Sequence, residues 1–378
     1  MTLALRELNR ATLARQLLLE RATIGVDDAV RRVLALQAQS PASAYLALWN
    51  RLTNLDLAEV DAAFADGSLV RATLMRITLH AVHADDHPVA HLAMQPTLRG
   101  ARLNDPRFTG GGLTAQDADD LLPLVLDHLT APRTNAEVEA WLDGRGLPGR
   151  PLWWALRHYA PVRHAVVGGA WSFGQRPAYV RAGIEPPAPG DREAADRALG
   201  QLVVRYLEAF GPATVADVAQ FATVQRARVK VAVELLGDRL ERLTGPDGSE
   251  LLDVPGAARP SGEVAAPTRL LGMWDSVLLA HHDRSRCIPP AYRSLVIRRN
   301  GDVLPTVLVD GWVAGIWRPL EGAIEVTAFH PLANEAWAAV ADEARAMLAV
   351  LAPRDPRPYA RHHHWWAKLP DLESRLLR

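Results

Sequence analysis

The chain has 378 residues, nearly half of them hydrophobic, and a formal charge of −1 at pH 7. That length predicts two or three domains around a sizeable core, and the near-neutral balance excludes a general polyanion binder while leaving room for one basic face offset elsewhere. Cys287 is the only cysteine, which excludes a disulfide framework or thiolate metal cluster and fits a reducing cytoplasm.

From the N-terminus, Arg6, Glu7, Arg10 and Arg15 interrupt the leucines, so no signal-peptide core forms. No apolar run approaches the roughly 20 residues of a membrane helix. The expectation is a soluble, cytoplasmic protein. Helices are predicted near Leu8 to Glu20 and Val26 to Ala38. In the second, Val26, Ala29, Val30, Val33 and Leu34 form one buried face, and the next member of that stripe is Gln37. Pro41 disfavours a helical Ser40, so the helix is expected to end near Gln39. If the chain is extended there, Gln37 and Gln39, at i and i+2, point to one side. Two readings stand at this point. The amides satisfy a helix end and a turn, or they hold one water or one substrate atom. A helix over Leu57 to Ala65 and extended stretches at Leu69 to Leu74 and Thr78 to His83 complete the N-terminal part.

An internal repeat organises the middle. Pro132-Arg133-Thr134, followed by Glu137, Val138 and Trp141, recurs as Pro212-Ala213-Thr214, followed by Asp217, Val218 and Phe221. Thr134 with Glu137 makes a capping box, and Thr214 with Asp217 its shorter acidic variant, so both copies open a helix. A second helix follows at Leu152 to Tyr159 in one copy and Val224 to Leu236 in the other. Hairpins are then predicted over 162–173, turning at Gly168-Gly169, and over 240–254, turning at Asp247-Gly248. Helix, turn, helix, hairpin is the winged-helix plan. The N-terminal part fits a third, less regular copy.

Pro255 to Pro267 reads as a linker. Strands are predicted at Ser294 to Arg299, Val303 to Val309 and Trp312 to Trp317, with Asp310-Gly311 a strong two-residue hairpin signal. A helix over Ala333 to Leu351 and the tail Arg361-His362-His363-His364-Trp365-Trp366 close the chain. The expected fold is α+β, mainly α. It comprises winged-helix units at 1–100, 114–182 and 191–255 and a β-rich C-terminal part with a terminal helix at 268–378.

Several chemistries are set aside. The sequence has no G-x-S-x-G, G-x-G-x-x-G or P-loop, so no nucleotide cofactor is expected. His281-His282-Asp283 and His362 to His364 lack metal-ligand spacing, so no metal is expected either. Trp153-Trp154, Trp312 and Trp317 suit a core better than a base-stacking platform.

Three segments carry a resemblance. They are Leu36-Gln37-Ala38-Gln39-Ser40-Pro41, Leu74-Met75-Arg76-Ile77-Thr78-Leu79-His80 and Leu304-Pro305-Thr306-Val307-Leu308-Val309-Asp310-Gly311, the last led in by Arg298-Arg299-Asn300-Gly301. In this order, with the tandem winged helices, they resemble the AlkZ/YcaQ-like DNA glycosylases over nearly the whole length. Ile77 departs from the pattern, since many relatives carry Gly there.

The resemblance implies that Gln37 and Gln39 are the catalytic pair, in the Gln form associated with antibiotic self-resistance. It also implies that a hairpin at Asp310, Gly311 and Trp312 contacts the DNA groove. The expected activity is monofunctional hydrolysis of the N-glycosidic bond of alkylated purines, N7-alkylguanine above all, bulky or crosslinked adducts included. Such a base is already cationic, so oriented amides that place a water and stabilise the sugar cation suffice without a titrating base. The negative C-terminal end of the Val26 helix would favour that cation. The expected DNA-binding set is Arg71, Arg76, His80, Arg284, Arg286, Arg298, Arg299 and Arg318 with the hairpin tip, acting on double-stranded DNA as a monomer at the nucleoid. The competing class is a non-enzymatic winged-helix transcriptional regulator, against which stand three tandem units without a sensor domain.

Overall fold

A computed structural model describes residues 2–174, 176–186 and 188–378. After helix α1 (Leu5–Arg15), the chain builds one topology three times. The first copy runs α2 (Val26–Val33), β1 (Leu36–Gln37), α3 (Pro41–Arg51), α4 (Leu57–Asp66), β2 (Leu69–Thr73), β3 (Leu79–His83), with sheet order β1-β3-β2. Helices α5 (Asp86–Leu103) and α6 (Pro106–Thr109) lead to the second copy. It comprises α7 (Ala115–His128), β4 (Arg133–Thr134), α8 (Asn135–Asp143), α9 (Gly149–Tyr159), β5 (Val162–His164) and β6 (Ala178–Arg181), ordered β4-β6-β5. In the third, α10 (Arg192–Phe210), α11 (Val215–Ala222) and α12 (Arg226–Leu236) precede the hairpin β7 (Glu241–Thr244) and β8 (Glu250–Asp253). The first strand shrinks there to a single bridge, Ala213 to Leu252. All three are winged helices, and the mixed helix-and-strand fold is α+β.

The capping boxes form as the residue types dictate, with Thr134 and Glu137 bonded reciprocally and Thr214 and Asp217 likewise. The N-terminal copy is assigned differently from the expectation. Leu34 adopts φ +70 and stops α2 at Val33, so Gln37 belongs to a strand and does not extend the helical stripe. Helix α3 escaped notice because Ala42 through Arg51 are buried on every side, which erases the amphipathic period. In the second copy the return strand is Ala178–Arg181, pairing Val162 with Arg181. The predicted partner, 170–173, instead forms a loop whose Trp171 and Phe173 pack edge-on against Tyr45 and Phe64 of the first copy.

The C-terminal part is a five-stranded antiparallel sheet of order β13-β12-β11-β10-β9. Its strands are β9 (Arg269–Leu271), β10 (Thr306–Val309), β11 (Trp312–Leu320), β12 (Ala323–Ala328) and β13 (Ser374–Leu377), backed by α14 (Asn334–Leu351). The stretch expected as a strand at 294–299 is mostly a helical turn, α13 (Arg293–Val296), which continues the 3-10 turn Pro290–Tyr292, with one antiparallel bridge from Ile297 to Val303. One apolar cluster joins α2 to α4 with this sheet and α14, and another joins α5 to α12. No helix among the described residues is long and apolar enough to cross a membrane.

Candidate active site and DNA interface

Strand β1 pairs antiparallel with β3, setting Gln37 opposite His80, and the ladder continues where the Ala38 N–H donates to the Leu79 carbonyl at 2.8 Å. Ser40 then stands at the N-cap position of α3 without a side-chain capping bond, and Pro41 opens the helix. The motif therefore occupies the strand-to-helix junction that Arg133-Thr134 and Ala213-Thr214 occupy in the other copies. The nearest helix end is the positive N-terminus of α3. The expected help from the C-terminus of α2 is absent, because that helix ends four residues earlier.

Both amides are held by partners that can only donate. Arg76 Nη2 donates to Gln37 Oε1 at 2.6 Å, and the Leu79 N–H donates to Gln39 Oε1 at 3.3 Å. Each oxygen keeps a second lone pair, and neither amide can be flipped without losing its bond. Gln37 is buried and Gln39 is exposed. The Gln37 N–H donates to Ser276 Oγ, whose hydroxyl donates to the Ala35 carbonyl.

His80 is fully buried. Its Nδ1 lies 3.1 Å from the Thr78 carbonyl and its Nε2 3.1 Å from Arg76 Nη2. Since Arg only donates, Nε2 is the acceptor and Nδ1 carries the proton, so the ring is neutral. Burial, reinforced by the Arg76 charge, holds its pKa well below the usual histidine value. The Arg76 guanidinium, brought down to about 10 by burial and then by Arg284, also lies over the Phe221 ring. Arg76 and Ile77 both sit at φ +56. For a β-branched Ile77 this is a strained conformation, and glycine adopts it freely, which fits the Gly of many relatives; nothing in the structure explains the Ile.

Gln39 opens onto a cleft of about 770 Å³ between the first two winged helices and the C-terminal tail. Arg71 lines it, its Nε donating to the Ala38 carbonyl inside the motif at 3.0 Å. Opposite stand Asn135, Arg157, His158, His164 and Tyr179 from the second copy and Arg361 from the tail. Sequence reading missed these six. The available signal was Arg157-His158 at the end of the second helix of a helix-turn-helix, the element that enters a DNA groove in such folds.

The structure thus brings Gln37, Gln39, Arg71, Arg76 and His80 together. Arg284 lies close enough for its charge to act on Arg76. Arg299 is exposed, and Arg298 lies over the Trp365 ring. Other members of the expected basic face are committed elsewhere. Arg286 is buried and donates to Thr12 Oγ1 and the Pro212 carbonyl, so it is a fold element and not a surface cation. Arg318 pairs across the strands with Glu325 at 2.5 Å, which neutralises it. The hairpin turn does form, with Asp310 at φ +46 and Gly311 at φ +85. It is not a free probe. Asn9 Nδ2 donates to the Gly311 carbonyl, Asp310 pairs with Arg6 and Arg10, and both guanidiniums lie over Trp312, so the tip is seated on α1. Of the histidines set aside as metal ligands, His281 lies against the Phe210 carbonyl and His362 against Asp302.

Two winged helices and the C-terminal tail enclose an arginine-lined cleft, with a third winged helix in the same chain; that arrangement points to a DNA-binding protein, and comparison narrows the class to an enzyme. The chain belongs to the AlkZ-like DNA glycosylases, since the family model described as DNA glycosylase AlkZ-like matches residues 30–350. It is 26% identical over 337 residues to the interstrand DNA cross-link repair glycosylase of Streptomyces sahachiroi, covering 83% of this chain and 88% of that one. The solved structure of Streptomyces sahachiroi DNA glycosylase AlkZ superposes with a TM-score of 0.77 at 22% identity, over 93% of this chain and 97% of that one, which shows a shared fold. The protein is therefore a DNA glycosylase acting on DNA.

Proposed function

We propose that this glycosylase releases N7-alkylated purines, bulky and crosslinked adducts included, from double-stranded DNA, with Gln37 and Gln39 as the catalytic pair. The carrying observation is the anchoring of both amide oxygens by donor-only partners, Gln39 at the rim of the cleft and Gln37 buried two residues before it on the same strand-to-helix junction. Each anchored oxygen offers its remaining lone pair to a water or to the developing positive charge of the sugar. In the reaction the C1′–N9 bond breaks and its electron pair returns to the cationic base, which leaves neutral. Water adds hydroxide to C1′ and yields its proton to solvent.

The reading needs no titrating base and no amine nucleophile. Lys230 is exposed on α12 and Lys368 lies over Trp365, and neither lines the cleft. The cleft is open, which suits an adduct too large for a closed base pocket. The printed name of the Streptomyces sahachiroi relative supports crosslinks as a substrate class. The Gln form of the motif supports a role in self-resistance to a DNA-alkylating product, acting as a monomer in the cytoplasm.

The test is incubation with duplex DNA bearing a single N7-alkylguanine, followed by chromatography of free base. Release of the alkylated base, leaving a site that breaks only on alkaline treatment, is expected. Strand breaks before alkali, or no free base, would contradict the proposal.

A further inference from the structure

Two guanidiniums from different winged helices face the cleft without an acidic partner among the described residues. Arg71 on β2 is 5% exposed. Its Nε bonds the Ala38 carbonyl, Nη1 lies 3.1 Å from His164 Nδ1, and its plane lies over the Phe173 ring at 4.8 Å. Arg157 on α9 donates from Nη1 to Asn135 Oδ1 at 2.9 Å, while its Nε is buried and unpartnered. Tyr179 lines the same cleft, near enough to both guanidiniums for their charges to act on it.

Two other buried arginines are compensated, Arg15 by Asp253 and Arg51 by Asp275, every one of those side chains at most 3% exposed. Arg286, also without an acidic partner among the described residues, spends its bonds on Thr12 and the Pro212 carbonyl outside this cleft. A buried cation left uncompensated is strongly unfavourable. His164 offers no charge of either sign, because burial, then Arg71, keeps it neutral. The cleft's acidic residue, Asp355, is engaged by the Trp171 indole at 2.8 Å.

We propose that Arg71 and Arg157 together bind one DNA phosphodiester, the one flanking the damaged nucleotide beside Gln39, with Asn135 steadying the Arg157 fork. The site spans two winged helices, so the backbone of the damaged strand bridges them and is drawn against the Gln-Ala-Gln strand through the Arg71 to Ala38 bond. Arg157, bonded only through Nη1, keeps its Nε and Nη2 edge as a planar fork for two phosphate oxygens, and Arg71, with Nε and Nη1 engaged, adds Nη2. The proposal rests on the catalytic assignment of Gln37 and Gln39 for the position of the phosphate, but not for its existence.

The test has two arms, with Arg157→Gln and the charge-retaining Arg71→Lys, each first verified as folded by thermal melting. Binding of undamaged duplex is measured against salt. Arg157→Gln should reduce the slope of log affinity against log salt by about one, and Arg71→Lys should keep the slope while weakening binding. Excision is then measured on substrates with a neutral methylphosphonate at successive positions. At one position near the lesion Arg157→Gln should cause no loss beyond that of the methylphosphonate alone, and at all others the two losses should multiply. An unchanged salt slope, or multiplicative losses at every position, would overturn the subsite. A reduced slope with no base release from N7-alkylguanine DNA would keep the subsite and overturn the catalytic reading instead.

Discussion

Arg76 fixes the orientation of Gln37, because its guanidinium, a group that only donates, lies 2.6 Å from the amide Oε1. The same nitrogen reaches His80 Nε2, so amide, guanidinium and neutral imidazole form one unit. Arg76→Ala should slow single-turnover excision about tenfold, equivalent to about 1.4 kcal/mol of barrier, while affinity for undamaged duplex changes less than the rate. Weaker binding with an unchanged rate would make Arg76 a phosphate contact and not a support for Gln37.

The buried histidines set the acid limit of stability. Burial is the first cause that holds His80 and His164 well below the usual histidine value, His87 and His158 at about 4 and His91 at about 3. In the unfolded chain these rings protonate near pH 6.5. The unfolded state therefore binds more protons below that pH, and stability falls as pH drops from about 6.5 toward 4, by up to about 1.4 kcal/mol per pH unit for each ring. Melting temperatures at about pH 7.5 and pH 5 check this, and equal values would contradict it. Excision by the folded enzyme should be flat from about pH 6.5 to 8.5, since glutamines do not titrate and His80 stays neutral.

Seating the hairpin on α1 reverses the expectation for its tip. Arg10 is 0% exposed and pairs with Asp310, which is 44% exposed. Asp310→Ala should destabilise the protein by about 1–2 kcal/mol, below the full penalty for a broken buried pair because the carboxylate is half in water. Urea unfolding measures this. Excision of methyl and bulky adducts should fall alike. Full stability with loss confined to bulky adducts would restore the tip as a lesion reader.

The basic set divides in the same way. Arg318→Ala removes a charge already matched by Glu325 and should leave the salt dependence of DNA binding unchanged. Arg286→Ala should lower the melting temperature, because it strips bonds from Thr12 and the Pro212 carbonyl. Binding isotherms at several salt concentrations separate the two. A reduced slope for Arg318→Ala would return it to the DNA surface.

Local chemistry was legible in the sequence. Thr134 with Glu137, Thr214 with Asp217 and Asp310-Gly311 act over a few residues, and all three formed as their types require. Burial without period was not legible. Helix α3 is buried on every side, polar Ser43, Asn50 and Arg51 included, and β12 is a short run between turns. The wing of the second copy paired 178–181 because Trp171 and Phe173 were recruited into the first copy's core, a choice made between units and invisible along the chain. For the same reason Gln37, Gln39, Arg71 and Arg76 could be named in advance, while Asn135, His164 and Tyr179, which face them from another unit, could not, and Arg157 was signalled only by its place at the end of the second helix of its helix-turn-helix.

The central claim is that two anchored amides perform the hydrolysis. Its most direct test is single-turnover release of N7-alkylguanine by Gln37→Ala, Gln39→Ala and the double variant, with thermal melting and DNA affinity measured on the same preparations. Each single change should lower the rate at least about tenfold, and the double change should abolish measurable release, with folding and affinity near those of the parent. Retained excision in the folded double variant would contradict the assignment, and unfolding of both single variants would return the amides to a purely structural role.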